Sequence, residues 1–127
     1  MSSFAFTKIV VDDLDAQAAF YSTVLGQVSK HRLTGGEGHR AFEEIVMGSA
    51  AGDGPSLLLI RYVDGSSSRP GEAVLGFAVA DVDETVRAAR AAGGSMRSEP
   101  KSLPEAGMKV AELADPEGHL LEIVQHL

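Results

Sequence analysis

The chain has 127 residues, no cysteine and a formal net charge of −7, from 18 acidic and 11 basic residues. This acidic balance argues against nucleic acid or an anionic membrane as the main partner, because both attract basic surfaces. The absence of cysteine excludes disulfides and thiolate metal ligands, and a hydrophobic fraction of 44% is enough for one globular domain.

Apolar patterns and turn residues divide the first half of the chain into one helix and four strands. A β-branched segment predicts a strand at residues 5–11, and Asp13 and Gly26 mark the two ends of the helix that follows. Three more strands are predicted, with a glycine-rich turn between the first two of them: residues 28–33, 42–48 and 56–63, and the turn at 35–38. The order of elements is therefore βαβββ.

The second half repeats this order after a turn-rich segment at residues 64–71. The predicted elements are a strand at 74–79, a helix at 82–92, a strand at 95–99, a loop at 100–107, a strand at 108–113, a tight turn at 115–118 and a strand at 120–125. We therefore expect a single domain of two modules, at about residues 4–64 and 73–127, with a linker at about 64–72.

The two modules also share individual residues, because residues 8–26 align with residues 76–94 at a shift of 68 positions. The alignment superposes Val11 on Val79, Asp13 on Asp81, Asp15 on Asp83 and Gly26 on Gly94. A repeat of this size indicates two similar half-structures that pair to bury their sheets. The resulting cleft is where a functional site is expected.

The two βαβββ modules, the helix segment DLDAQAAFYSTVLG at residues 13–26 and the segment DPEGHLLEIV at residues 115–124 resemble the vicinal oxygen chelate superfamily. This superfamily contains glyoxalases, extradiol dioxygenases and bleomycin-resistance proteins. The resemblance implies an α+β fold whose two modules form an open β-cup, and a homodimer for a chain of this size. Because members differ in chemistry, the resemblance does not name a reaction.

The metal-dependent members hold a divalent ion on the first and last strand of each module. Counting along this chain puts Phe6, Leu59, Val74 and Glu122 at those four positions. A divalent cation needs several oxygen or nitrogen ligands, and only Glu122 offers one. We therefore expect no metal and no cofactor.

Alternation along the strands, with those four positions taken as facing inward, places Lys8 and Arg61 in the cup beside Glu122. A buried Glu122 would pair with one of these cations, be protonated or contact the ligand. His31 and Arg40, near the glycine-rich turn, are candidates for the mouth of the cup.

Two cations beside apolar walls suit a small apolar anion, such as an aromatic carboxylate or phenolate. The expected ligand contacts are Arg61, Phe6, Leu59, Val74, Arg40 and His31, and the expected catalytic pair is Glu122 and Lys8. A binding or resistance protein and a metal-independent acid–base lyase or isomerase both fit this pattern. One alternative is a metal-dependent glyoxalase- or dioxygenase-type lyase or oxygenase, which would require a shifted strand register that recruits Lys8, Glu44 or His31. The other is a domain that binds a partner and has an empty cup.

The start of the chain, MSSFAFTKIVVDD, has neither a basic lead nor an apolar segment of signal-peptide length. The longest apolar run in the whole chain is also too short to span a bilayer. We therefore expect a cytoplasmic protein whose partners are a small-molecule ligand and a second copy of the chain, and not nucleic acid or a membrane.

Overall fold

The computed structural model describes residues 1–65 and 67–127, and within them the chain forms eight strands and two α-helices. In chain order these are β1 (Phe6–Val10), α1 (Leu14–Leu25), β2 (Val28–Gly35), β3 (Phe42–Gly48), β4 (Ser56–Tyr62), β5 (Val74–Ala78), α2 (Val82–Ala91), β6 (Ser95–Leu103), β7 (Met108–Ala114) and β8 (Leu120–His126). The predicted α+β fold of two βαβββ modules is confirmed. Ser66, in the predicted linker, lies outside the described residues.

Both helices begin at the aspartates that the repeat superposes. The Asp13 carboxylate accepts a hydrogen bond from the backbone N–H of Ala16 at 3.0 Å, and the Asp81 carboxylate accepts one from the N–H of Glu84 at 3.1 Å. Each bond satisfies a backbone donor that has no partner inside its helix. Helix α1 ends at Gly26, whose φ of 63° is the left-handed conformation that glycine adopts without strain.

The chain divides into two compact units. The first unit contains Met1–Ser22 and Gly26–Arg69, and the second contains Thr23–Leu25 and Pro70–Leu127. In the first unit the strand order is β1-β4-β3-β2, and in the second it is β5-β8-β7-β6. In each sheet the outer strand β1 or β5 runs parallel to its neighbour, whereas the other strands pair antiparallel.

The register of β1 against β4 decides which residues share a face of the first sheet. Lys8 pairs with Leu58, and Ile9 pairs with Leu59. Directly paired residues project from the same face of a sheet, so Leu59 lies on the opposite face from Lys8. The predicted placement of β4 is therefore wrong by one residue, and Leu58 occupies the position that counting gave to Leu59.

We call the two faces of the first sheet the helix face and the open face. The helix face carries Arg61 and also Arg32, whose side chain bonds to Asp15 on α1. Its apolar core consists of buried residues from three strands, namely Ile9, Ile45, Met47, Leu57 and Leu59. The open face carries Phe6, Lys8, Val10, Leu58 and Ile60.

In the second sheet the predicted faces agree with the register, because Gly76 pairs with Glu122 and Val74 pairs with Leu120. Leu121 and Ile123, which precede and follow Glu122 along β8, are fully buried on the other face. That other face is the helix face of the second sheet, since Gln125 accepts a hydrogen bond there from the first residue of α2.

Two local predictions are wrong. The chain at residues 100–103, predicted as loop, continues β6, an outer strand whose pairing with β7 shifts between Ser98 and Lys101. An outer strand with such an irregularity accommodates Pro100 because no neighbour needs its missing N–H. The turn predicted at 35–38 is displaced, since Gly35 ends β2 and a 3-10 turn covers Gly38–Arg40. Neither helix in the described part of the chain is long and apolar enough to cross a membrane.

The face assignment predicts that Leu59→Ala destabilises the fold strongly. Leu59 is fully buried, so truncation removes apolar contacts and leaves a cavity, at a cost of about 2–5 kcal/mol in the free energy of unfolding. Urea denaturation followed by circular dichroism measures this. Val74→Ala is the control, since Val74 is 50% exposed and its truncation should change stability little. Equal effects of the two variants would contradict the assignment.

Candidate functional site

The open face of the first sheet carries a cation at the centre of an apolar surface. Lys8 Nζ lies 3.0 Å from Oε2 of Glu44 and 5.8 Å from the centre of the Phe6 ring. The Lys8 side chain is 39% exposed, whereas that of Glu44 is only 6% exposed. The ion pair therefore has one buried member and one that solvent or a ligand can reach.

Strand β4 lies between the strands that supply this pair. Lys8 on β1 pairs with Leu58, and Glu44 on β3 pairs with Ile60. Both β4 side chains are apolar and buried, so the lysine stem crosses an apolar surface to reach the carboxylate. Phe6 is 50% exposed at the edge of this surface. A cation beside an exposed aromatic ring and aliphatic side chains suits an apolar anion.

Arg61 does not belong to this surface, so its predicted place in the cup beside Lys8 is wrong. It lies on the helix face, where its Nη1 is 3.2 Å from the carboxylate of Glu43. Arg32 bonds to the same carboxylate and, at 2.6 Å, to Asp15 of α1. The hydrogen bond and charge of Asp15 raise the pKa of Arg32 above its ordinary value. These groups line a cavity of about 300 Å³ at the start of α1.

The second unit repeats the helix-to-sheet part of this network. Asp83 of α2, the repeat equivalent of Asp15, pairs with Lys109 on β7. In both units an aspartate of the helix thus pairs with a cation on the helix face of the sheet, and Arg61 is connected to this pair only through Glu43. A charge employed in this way on the helix face is unavailable to a ligand on the open face.

Glu122 lies on the open face of the second sheet and is exposed, so its prediction as a buried carboxylate is wrong. Its direct neighbour on β7 is Glu112, and its neighbour on β5 is Gly76, which presents no side chain. Like charges placed directly opposite each other across strands repel. Of the three alternatives for Glu122, pairing with Lys8 or Arg61 does not occur, because these cations pair with Glu44 and Glu43 within the first unit.

The remaining candidates divide between the units. Val74, 50% exposed, shares the open face of the second sheet with Glu122. His31 is exposed on the open face of the first sheet, paired with Val46, and Arg40 is exposed in the 3-10 turn. Leu59 is fully buried on the helix face, so its predicted position on the face that carries Lys8 is wrong.

Sequence reasoning named Glu44 only as a metal ligand under a shifted strand register, and missed it as the partner of Lys8. Glu44 follows Glu43 directly in β3, so the two carboxylates point to opposite faces of the sheet. Nothing in the local pattern says which of them is buried. The only signal in the sequence was that two adjacent glutamates directly precede the apolar segment IVM. Alternation along a strand puts one of the two on each face of the sheet.

The donor set does not fit a metal ion of the kind described for the superfamily. The register puts Phe6, Leu58, Val74 and Glu122 at the four equivalent positions, and only Glu122 has a donor atom. No three histidine, aspartate or glutamate side chains among residues 1–65 and 67–127 come together as a metal site requires. Glu112 adds a second carboxylate beside Glu122, which is still fewer than a structural or catalytic site uses.

Comparison with known families gives a match over nearly the whole chain. The model of the Glyoxalase/Bleomycin resistance protein/Dioxygenase superfamily matches residues 3–123. Among curated proteins, "Putative glyoxylase CFP32" of Mycobacterium tuberculosis (strain CDC 1551 / Oshkosh) is 29% identical over 126 residues. The match covers 94% of this chain but 42% of that relative, so the chain spans less than half of its length.

Solved structures show the same fold. A glyoxalase family protein from Bacillus cereus superposes with a TM-score of 0.85 at 20% identity, covering 100% of this chain and 95% of that one. A V278E mutant of glyoxalase I from Zea mays gives a TM-score of 0.81 at 23% identity, covering 95% of this chain and 45% of that one. At these identities the likeness concerns the fold alone.

The Lys8–Glu44 pair predicts a specific pattern of stabilities. Lys8→Met leaves a buried carboxylate without its cation and should lower the free energy of unfolding by about 1–3 kcal/mol. The double variant Lys8→Met/Glu44→Gln should recover much of this loss, because the buried charge is gone as well. Chemical denaturation of the two single variants and the double variant measures the coupling.

The matched comparison for this cycle is the exposed pair Arg87–Glu84, whose side chains are 66% and 69% exposed. Removing that pair should change stability by less than about 1 kcal/mol. Additive effects of the Lys8 and Glu44 substitutions would show that the pair is not coupled in solution.

Proposed function

The chain belongs to the Glyoxalase/Bleomycin resistance protein/Dioxygenase superfamily, and we propose that it binds or transforms a small apolar anion without a metal ion. The ligand class is an aromatic carboxylate or a phenolate. The observation that carries the proposal is the partly exposed ammonium of Lys8, which lies over an apolar sheet face and beside the exposed ring of Phe6.

Each part of this surface has a role in recognising such a ligand. Lys8 supplies the charge for a carboxylate or phenolate oxygen, and Phe6 supplies an aromatic surface for the ring. His31 lies on the same face of β2 and Arg40 in the turn that follows β2, where both are open to solvent. They are the candidates for contacts at the rim of the ligand site.

Glu122 is the candidate for acid–base chemistry if the bound anion is transformed. It is exposed on the open face of the second sheet, and Gly76 beside it leaves space on the β5 side. A carboxylate that is open on one side can act as a general acid or base toward a molecule that contacts the open face of the second sheet. Without this step the protein is a binding or resistance protein, in which Lys8 holds the anion and no bond changes.

The second candidate is a metal-dependent glyoxalase- or dioxygenase-type enzyme. The observation in its favour is the direct pairing of Glu112 with Glu122, which puts two carboxylates on one face of the second sheet. Against it stand Phe6, Leu58 and Val74, whose side chains cannot ligate a metal. The similarity in fold to glyoxalase I from Zea mays makes this candidate worth testing.

Benzoate, which represents the aromatic carboxylates, should bind to the surface around Lys8. Titration calorimetry or ligand-observed NMR on the wild-type chain should show saturable binding, and Lys8→Met should weaken it at least tenfold, by about 1.4 kcal/mol, because the charged contact is lost. Arg61→Met is the matched control, since Arg61 lies on the helix face, and its affinity should equal that of the wild type. Loss of binding in Arg61→Met alone would contradict the proposed site.

The second prediction concerns metal content. Elemental analysis of the protein purified without chelators should find nickel, zinc, manganese and iron well below one equivalent per chain, since the donors at the four strand positions are too few. One equivalent of any of them, lost in Glu122→Gln and retained in Glu117→Gln, would establish the metal-dependent candidate and reject the metal-free proposal.

A further inference from the structure

Glu44 is a buried carboxylate on the face to which we assign the ligand. The residue is 5% exposed, and its neighbours across the strands, Ile60 on β4 and Leu33 on β2, are both apolar. A carboxylate in such surroundings stays ionised only when a cation or hydrogen-bond donors replace the water it has lost. The identity of those replacing groups therefore decides the charge of the site.

The charge of Glu44 is compensated from one direction. Lys8 Nζ lies 3.0 Å from Oε2, but not in a hydrogen-bonding direction, and this buried oxygen accepts no hydrogen bond from any residue in 1–65 or 67–127. The other titratable groups on this face are His31 on β2 and Tyr62 on β4. The pairing of β2 is irregular between Ser29 and His31, and the Lys30 side chain lies on the same face, beside Gly48. None of these three forms an ion pair with Glu44.

A ligand anion at Lys8 competes with Glu44 for the same ammonium. With both anions charged, one cation would face two negative groups, of which Glu44 cannot turn to water because it is buried. Addition of a proton to Glu44 removes this conflict, since a neutral carboxylic acid is tolerated among apolar neighbours and the ammonium is free to pair with the ligand.

We propose that Glu44 is the built-in counter-ion of Lys8, which an anionic ligand displaces with uptake of a proton by Glu44. The inference rests on the proposed function, because it requires an anion at Lys8. In the binding step the free protein, the anion and one proton from solvent form a complex in which the ligand has replaced the carboxylate as the partner of the ammonium. The net charge of the site is the same before and after.

The exchange determines how affinity depends on pH and on the charge of the ligand. The complex carries more bound protons than the free protein, so affinity rises as pH falls, by at most tenfold per pH unit. This dependence holds only in the pH range where Glu44 is ionised in the free protein and protonated in the complex. A neutral analogue of the same shape, such as benzamide, gains nothing from the exchange and binds without proton uptake.

The experiment is a calorimetric titration of benzoate into the wild-type protein at pH 6.5 in two buffers with different ionisation enthalpies, such as Hepes and Tris. The difference in observed heat gives the number of protons taken up per benzoate bound. We expect uptake approaching about one proton for the wild type. For Glu44→Gln we expect no uptake, an affinity at neutral pH at least equal to that of the wild type, and no dependence of affinity on pH.

Two variants separate Glu44 from the titratable groups around it. Glu43→Gln changes the adjacent carboxylate on the helix face, and His31→Gln removes the histidine on the open face. Glu43→Gln should take up as many protons as the wild type, and His31→Gln should retain an uptake that Glu44→Gln loses. A proton count that falls to zero in His31→Gln but not in Glu44→Gln would assign the proton to the histidine and overturn the inference.

The possible failures are distinguishable. Benzoate that binds the wild type without proton uptake overturns the role of Glu44 and leaves the proposed function standing. Benzoate that binds neither the wild type nor Glu44→Gln, while both show the same unfolding transition, overturns the proposed function and the inference with it. The wild-type proton count does not depend on any variant folding, so the inference stays testable if Glu44→Gln is unstable.

Discussion

The parallel pairing of β1 with β4 is the constraint on which the candidate site depends. Because Lys8 is opposite Leu58, Leu58 lies on the open face, and Leu59 and Arg61 lie on the helix face. A shift of one residue would exchange the two faces and put Arg61 beside Lys8. The register therefore decides that Lys8 lies on an apolar surface with Glu44 as its partner, and that Arg61 lies on the opposite face.

The same rule separates two adjacent glutamates. Glu43 faces the helix side, where Arg61 and Arg32 share its charge with partial access to solvent. Glu44 faces the other way, is almost fully buried and has one ammonium for compensation. Loss of an ion-pair partner should therefore cost little stability at Glu43, which is near water, and more at Glu44, which has an apolar environment.

The two units repeat a scaffold and differ in the chemistry on their open faces. Asp13 and Asp81 begin the helices in the same way, and Asp15 and Asp83 each connect their helix to a cation on the sheet. On the open faces, by contrast, the first unit has the Lys8–Glu44 pair and the second has adjacent acids at residues 112 and 122. The two units therefore share the connections between helix and sheet and differ in the charges on their open faces.

The sequence by itself determined the elements, because helix caps, glycine stops and apolar periods act over a few residues. It also determined which residues of the second sheet share a face. There the strand that contains Glu122 follows a tight turn, whose hydrogen bonds to Asp115 fix where the strand begins. Tertiary structure alone decided the burial of Glu44, the exposure of Glu122 and the place of Arg61. Burial and strand register depend on which distant segments meet, and alternation along one strand is the same in either register.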